Sequence, residues 1–105
     1  MRLDTLAARS RHLALFERYG ALLTKHQRDV LELSLRSDWS LAEIADHQGT
    51  SRAAVHDIVK RSVDALEEYE RRLGLLAEAV RRRRKVASLE RELAGLKRRV
   101  AELEA

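Results

Sequence analysis

No proline interrupts this chain of 105 residues, and its four glycines stand apart at Gly20, Gly49, Gly74 and Gly95. Proline breaks a helix interior and glycine weakens it, so their scarcity permits long uninterrupted helices. Leu, Ala, Arg and Glu, all strong helix formers, dominate the sequence, and β-branched residues form no runs typical of strands. The sequence therefore predicts an all-α fold.

The first helix is predicted from about Leu3 to Tyr19, with Gly20 just past its end. Its apolar stripe at helical spacing comprises Leu3, Leu6, Leu13 and Phe16. Beyond it the chain divides into two predicted parts. Residues 1–73 form a helical domain that contains a helix-turn-helix at 41–61, and residues 75–105 form a C-terminal helix that Gly74 separates or merely weakens.

Polar caps mark the other helix starts. Thr24 with Gln27, and Ser40 with Glu43, have the spacing of capping boxes, in which two side chains satisfy free amides of the first turn. The helix after Thr24 is expected to reach about Ser37 and to bury Val30, Leu31 and Leu35. The helix after Ser40 is short and ends before Gly49. A further helix, capped by Ser51, is expected to continue through Val55, Ile58, Val59, Val63 and Leu66 towards Leu73.

Residues 41–60, LAEIADHQGTSRAAVHDIVK, have the pattern of a helix-turn-helix. Ala45 is small where the two helices come closest, and Gly49 permits a left-handed backbone at the turn. The inward-facing apolar residues that clamp the pair are predicted to be Ile44, Val55 and Ile58. Two positions that are usually apolar hold Gln48 and Thr50, which predicts a looser turn.

The outer face of the second helix in this motif carries the candidate nucleic-acid contacts, because a recognition helix presents such residues to the major groove or its phosphates. These candidates are Ser51, Arg52, Ala53, His56, Lys60 and Arg61. An alternative stays open: Asp57 would repel phosphate, His56 could be inert, and the cations could be ordinary solvated charges. The local charge of residues 51–61 is +2, from three basic groups and one acidic group.

Several segments resemble the YlxM family of small bacterial proteins over residues 13–76. They comprise Phe16 and Tyr19–Gly20 leading to Leu22-Leu23-Thr24, then Gln27-Arg28, Ser40–Ala45, Ser51-Arg52 and Ala54–Asp57. The resemblance implies a fold similar to DNA-binding region 4 of sigma factors. It also implies a regulatory link to the signal recognition particle pathway. It does not extend to the arginine-rich tail, and it leaves the ligand open between DNA, RNA and protein.

The C-terminal tail carries apolar residues at alternating spacings of three and four, the a/d pattern of a coiled coil. This predicted dimer interface comprises Val86, Leu89, Leu93, Leu96, Val100 and Leu103. Flanking charges favour a parallel homodimer, since Lys85 would face Glu90, Glu92 would face Lys97, and Arg99 would face Glu104. An antiparallel pair centred near Glu92 would place like charges together. The tail could instead pack on its own domain or another partner, and the N-terminal helix could form the dimer interface.

A basic run precedes these heptads, formed by Arg81, Arg82, Arg83, Arg84 and Lys85. Clustered cations suit phosphate, and each contact steepens the salt dependence of affinity. The run is therefore a second candidate for nucleic-acid contact, with a solvated helix stretch as the alternative. Upstream residues are apolar and acidic, which disfavours a basic zipper.

Catalytic and cofactor sites are not predicted. Cysteine is absent, the four histidines lack metal-ligand spacing, and no glycine-rich phosphate loop or nucleophile with a positioned base occurs. The charged N-terminus and the lack of a long apolar stretch favour a cytoplasmic protein without membrane contact. Two hypotheses follow: a homodimeric DNA-binding regulator, and an adaptor that binds protein and RNA of the signal recognition particle and modulates its GTPases without reading DNA.

Overall fold

The computed structural model describes residues 5–105, which contain five α-helices and no strand. They are α1 (Leu6–Tyr19), α2 (Lys25–Leu31), α3 (Leu41–Gln48), α4 (Arg52–Leu73) and α5 (Leu75–Glu104). A 3₁₀ turn, Gly20–Leu22, follows α1, and a wider π-type turn, Glu32–Arg36, follows α2. The all-α prediction is confirmed. Leu3, where the first helix was expected to begin, lies outside the described residues.

The helix starts follow the predicted caps. The Thr24 hydroxyl accepts from the Gln27 amide at 3.2 Å, and the Gln27 side chain accepts from the Thr24 amide at 3.1 Å. Ser40 and Glu43 form the same reciprocal pair at 3.1 and 3.0 Å. The pKa of Glu43 lies below its usual value because the Ser40 backbone amide donates to its carboxylate. Both capping boxes are therefore confirmed.

Helix α4 is the centre of the helical domain, and α1, α2 and α3 all pack against it. Its core face consists of Val55, Val59, Ser62, Val63 and Leu66. From the other elements the core receives Leu15, Phe16, Tyr19, Leu23, Val30, Leu31, Leu35, Ile44 and Ala45. The predicted burial of Val30, Leu31 and Leu35 is confirmed. This packing fixes α4 along most of its length and thereby sets the face it leaves to solvent.

The predicted apolar stripe of α1 is wrong in part. The Leu6 side chain is 82% exposed and Leu13 is half-buried, whereas Phe16 is buried as expected. The core face of α1 instead comprises His12, Leu15, Phe16 and Tyr19, spaced i, i+3, i+4 and i+7. A histidine at the first of these positions interrupts the apolar pattern of this face in the sequence.

The helix after Thr24 reaches about its predicted end but changes type on the way. Regular α-helix ends at Leu31, and the chain continues to Arg36 in the wider turn, where the Ser37 amide donates to the Glu32 carbonyl at 3.2 Å. A bond over five residues widens the helix and rotates the side chains that follow. Asp38 then takes a positive φ of 58° before the Ser40 cap.

Gly74 ends α4 in a left-handed conformation, with φ 63°, and its amide donates to the Glu70 carbonyl at 2.8 Å. The chain divides here into two compact units, 1–74 and 75–105. The second unit is α5, a single helix of 30 residues with no buried side chain. None of the described helices is long and apolar enough to cross a membrane.

Candidate nucleic-acid interface

The turn between α3 and α4 is closed by backbone hydrogen bonds. Gly49 has φ 67° and ψ 37°, and the Thr50 amide donates to the Ala45 carbonyl at 3.0 Å. Such a bond over five residues, with a left-handed glycine, is a common way to end a helix. The side chains of Gln48 and Thr50 are half-buried and exposed, respectively. The predicted loosening has no counterpart in the backbone, because the turn is held by main-chain hydrogen bonds that do not involve the side chains of Gln48 and Thr50.

Apolar side chains hold α3 and α4 together beneath this turn. Ile44 and Val55 are fully buried, and Ala45 is 4% exposed at their junction. Ile58 is only half-buried, so its predicted inward position is confirmed in part. The clamp orients the first two turns of α4 so that their opposite side faces solvent.

Three of the predicted contact residues share this solvent-facing side. Arg52, Ala53 and His56 are exposed and, with Leu41 from the start of α3, line a shallow groove. Ala53 leaves the helix backbone open to close approach, while Arg52 and His56 carry hydrogen-bond donors on either side of it. Leu41 was not predicted as part of the site. Its position directly after the Ser40 cap was the available signal, since the first turn of α3 lies beside the first turn of α4.

Ser51 is positioned by its role as N-cap. Its hydroxyl accepts from the Ala54 amide at 3.1 Å, as predicted. The hydroxyl proton remains able to donate to a ligand. Ser51 therefore both fixes the start of α4 and stands at its electropositive end, where the helix dipole favours an anion.

The three cations of this face are in different states. Lys60 forms an ion pair with Asp64 at 3.0 Å, and Arg61 forms one with Asp57 at 3.1 Å. Both pairs are exposed, so each contributes only a few tenths of a kcal/mol to about 1 kcal/mol and can open for a competing phosphate. Arg52 forms no ion pair within residues 5–105. The least encumbered positive charge thus lies at the first turn of α4, and the predicted repulsion from Asp57 is offset by Arg61.

An aromatic contact that the sequence did not predict flanks α3. The ring of Trp39 meets that of His47 edge to face, with centroids 5.2 Å apart and an angle of 83° between the planes. Trp39 is half-buried and His47 is exposed in the last turn of α3. The pair fixes the approach of the chain to the Ser40 cap. No helical spacing signals this contact, because Trp39 precedes the Ser40 cap and lies outside α3.

The basic run lies on α5, in the second unit. All five side chains are exposed, and Arg82 forms an intrahelical ion pair with Glu78 at 2.7 Å. Arg81, Arg83, Arg84 and Lys85 have no ion pair in the described part of the chain. The positive charge of the basic run is therefore exposed to solvent. The run belongs to a different compact unit from the helix-turn-helix.

A metal site is not formed by the described residues. No group of three His, Asp or Glu side chains between residues 5 and 105 is placed to hold a metal ion. The buried histidine, His12, lies in the core of the helical domain between α1 and its neighbours rather than at the exposed face of α4. The exposed face of α4 does offer hydrogen-bond donors, a helix N-terminus and the Arg52 cation, which has no ion pair among the described residues.

Comparison with known proteins places this geometry in a family. The model of the YlxM/p13-like helix-turn-helix proteins, UPF0122, matches residues 6–104, and so extends through the arginine-rich tail that the sequence resemblance did not include. A UPF0122 protein of Symbiobacterium thermophilum is 49% identical over 79 residues, which are 75% of this chain and 74% of that protein.

Two further relatives are matched over a shorter stretch. A UPF0122 protein of Clostridium kluyveri is 53% identical over 64 residues, or 61% of this chain and 58% of that protein. One of Streptococcus pyogenes is 51% identical over 67 residues, or 64% of this chain and 59% of that protein. This chain belongs to the YlxM/p13-like family of helix-turn-helix proteins.

Proposed function

We propose that this chain is a non-enzymatic regulatory protein of the cytoplasm that binds duplex DNA through the first half of α4. The observation that carries the proposal is the exposed face of Arg52, Ala53 and His56, which begins at the N-cap Ser51 and follows a closed turn. An α-helix fits the major groove of about 12 Å, and residues near its N-terminus reach the base edges.

Each residue of this face has a distinct part in the proposal. Arg52 donates to a phosphate or to a guanine edge, and His56, one turn further, donates to a phosphate or base. Ala53 lets the helix backbone approach the groove. Lys60 and Arg61 contact DNA phosphates only after their ion pairs with Asp64 and Asp57 have opened. Opening each pair costs free energy, which lowers the net contribution of these two cations to the affinity for DNA.

The test is binding of the full chain to a mixed-sequence duplex of about two helical turns, measured against salt concentration. Replacing three contact residues together, Arg52→Ala, His56→Ala and Lys60→Ala, is expected to weaken binding by at least about tenfold and to reduce the magnitude of the salt slope by roughly two. A matched triple with the same residue types at other exposed positions, Lys25→Ala, His26→Ala and Arg71→Ala, should leave affinity close to that of the wild type. DNA binding that survives the first triple would contradict the assignment of α4 as the reading element.

The basic run on α5 is proposed as a secondary phosphate contact. Its replacement by Arg81→Ala, Arg83→Ala and Arg84→Ala should weaken binding to all duplex sequences alike, since phosphate contacts carry no sequence information. A loss confined to one sequence would show base contact instead.

A second candidate function is an adaptor that binds RNA or the GTPases of the signal recognition particle, the pathway that the family resemblance implies. The observation that favours it is the partial neutralisation of the α4 face, where two of three cations are held by aspartates. A helix that binds the DNA groove by itself gains affinity from cations that have no ion pair. A surface that contacts another protein accommodates cations that are already paired with carboxylates. The same wild-type protein assayed against that RNA and those GTPases separates the two candidates, because each predicts binding where the other predicts none.

A further inference from the structure

An apolar stripe runs along α5 without cover. Val86, Leu89, Leu93, Leu96 and Val100 are each about half exposed, from 48% to 54%, and Leu103 is 86% exposed. No side chain of this helix is buried. Six large apolar residues in one exposed row exceed what a solvated helix normally carries, and such rows mark contact surfaces.

We propose that a second copy of this chain covers the stripe, with the two α5 helices parallel and in register as a two-stranded coiled coil. The six residues fall at a and d positions over three heptads, and α5 is continuous through them, including Gly95. Val, Leu and Val occupy a, while Leu occupies every d, a combination that favours two parallel strands. This proposal does not rest on nucleic-acid binding.

The charges beside the stripe form no ion pair within their own helix. The six side chains at g and e are Lys85, Glu90, Glu92, Lys97, Arg99 and Glu104, and none has an ion pair within the described residues. Five of them also lack an oppositely charged residue three or four positions away, and only Arg99 has one, Glu102. Intrahelical pairs do form elsewhere on this helix, as between Arg82 and Glu78 at 2.7 Å. The six charges are thus arranged for partners on another helix.

Parallel pairing gives all six a partner. Each g residue meets the e residue five positions later on the second copy, which joins Lys85 to Glu90, Glu92 to Lys97, and Arg99 to Glu104. One heptad earlier, Glu78 meets Arg83 in the same way. Arg82 occupies the d position there, so the apolar part of the seam begins at Val86.

Charge alone rejects only some antiparallel registers. A pair centred near Glu92 places Lys85 against Arg99 and Glu92 against itself, which is repulsive. An antiparallel pair with full overlap would join Glu92 to Arg99 and Glu90 to Lys97, and is attractive. The parallel orientation is the one proposed, for two reasons. It also gives Lys85 an oppositely charged partner, and it places each valine or leucine of the seam against the same residue of the second copy.

The first experiment measures the mass of the full chain by sedimentation equilibrium. The wild type is expected to be a dimer. Leu93→Glu, which places a charge in the seam, should raise the dissociation constant by at least about tenfold, whereas Ala94→Glu, the same charge one residue along on the outer face, should not. A monomeric wild type, or equal effects of the two substitutions, would overturn the proposal. A dimer that survives Leu93→Glu would overturn it as well and would point to another interface, such as α1.

The second experiment decides the orientation by charge exchange. Glu92→Lys should weaken the dimer roughly tenfold, because its two symmetric contacts become repulsive. Adding Lys97→Glu restores attraction in the parallel pair, where positions 92 and 97 meet. In the full-overlap antiparallel pair the same double change places Lys at position 92 against Arg99 and Glu at position 97 against Glu90. Both contacts are repulsive, so the double variant should dimerise more weakly than Glu92→Lys alone. Rescue supports the parallel seam, and further loss overturns it.

Discussion

Gly49 holds the one left-handed backbone position in the turn between α3 and α4, with φ 67°. A Cβ built there has nothing within 4 Å, so space does not require the glycine. The requirement is conformational, because an L-residue in this region costs about 1–2 kcal/mol. The turn that directs α4 thus depends on one residue without a side chain.

Gly49→Ala is expected to lower the free energy of unfolding by about 1–2 kcal/mol, measured by urea denaturation. Asparagine tolerates the left-handed region better than alanine does, so Gly49→Asn should cost less. Equal losses for the two variants would show that something other than backbone conformation limits this position.

Also at the scale of single residues, the sequence located the cations of the candidate site but not their state. Arg52, Lys60 and Arg61 are all exposed, as predicted. That Asp64 and Asp57 hold two of them could have been foreseen from i, i+4 spacing. That Arg52 has no ion pair within residues 5–105 could not have been foreseen, because its possible partners include residues distant in sequence.

At the scale of elements, Ser51 has two roles that can be separated. As N-cap it satisfies the Ala54 amide, and as a member of the candidate interface it faces the phosphate backbone in the proposed complex. Helix caps are local, since donor and acceptor lie three residues apart. This is why each predicted cap could be found in the sequence and is present in the structure.

Ser51→Ala should lower the free energy of unfolding by about 1 kcal/mol, measured by thermal or urea denaturation. Ser51→Asp should keep the cap, and hence the stability, while its negative charge weakens DNA binding. Thr50→Ala, at an exposed neighbour, serves as the control and should change stability by less than about 0.5 kcal/mol. If Ser51→Asp binds DNA as well as the wild type does, the start of α4 is not at the phosphate backbone.

Helix α1 shows the limit of local prediction at this scale. Its sequence offers apolar residues on more than one side, and helical spacing alone selected the side with Leu6. Contact with α4 selects the other side. There Tyr19 donates to the Glu70 carboxylate at 2.6 Å, and Arg11 binds Glu67 through two hydrogen bonds of 2.9 and 2.6 Å.

At the scale of the whole molecule, His12 links stability to pH. It is 8% exposed, and its Nδ1 atom is buried without a hydrogen-bond partner among the described residues. Burial lowers the pKa of His12 below its usual 6.5, and Arg11 and Arg9 lower it further, while Glu67 opposes them. The native state therefore holds a neutral imidazole at a pH where the unfolded chain has begun to bind a proton. Because the unfolded state binds more protons in this range, stability rises with pH.

The free energy of unfolding is accordingly expected to fall as the pH is lowered from about 7 to about 5, through the unfolded-state pKa of His12. His12→Leu should flatten this dependence, and His26→Gln, at an exposed histidine, should retain it. Urea denaturation at each pH provides the measurement. The Arg11–Glu67 pair does not obscure it, because Arg11 lowers the pKa of Glu67 below 4.5 and stability from that carboxylate is lost only at lower pH. An unchanged slope in His12→Leu would assign the pH dependence to another group.

The sequence by itself determined the helical class, the caps, the glycine turn and the heptad spacing. Each of these features depends on residues that lie close to one another along the chain. Only the tertiary structure decided which side of α1 enters the core, that His12 is buried there, that Ile58 is only half-buried, and that Leu41 joins Arg52 and His56 in one groove. These outcomes depend on how α4 is covered by three other helices, and the free energy of burying one face rather than another is fixed only when the neighbouring surfaces are present.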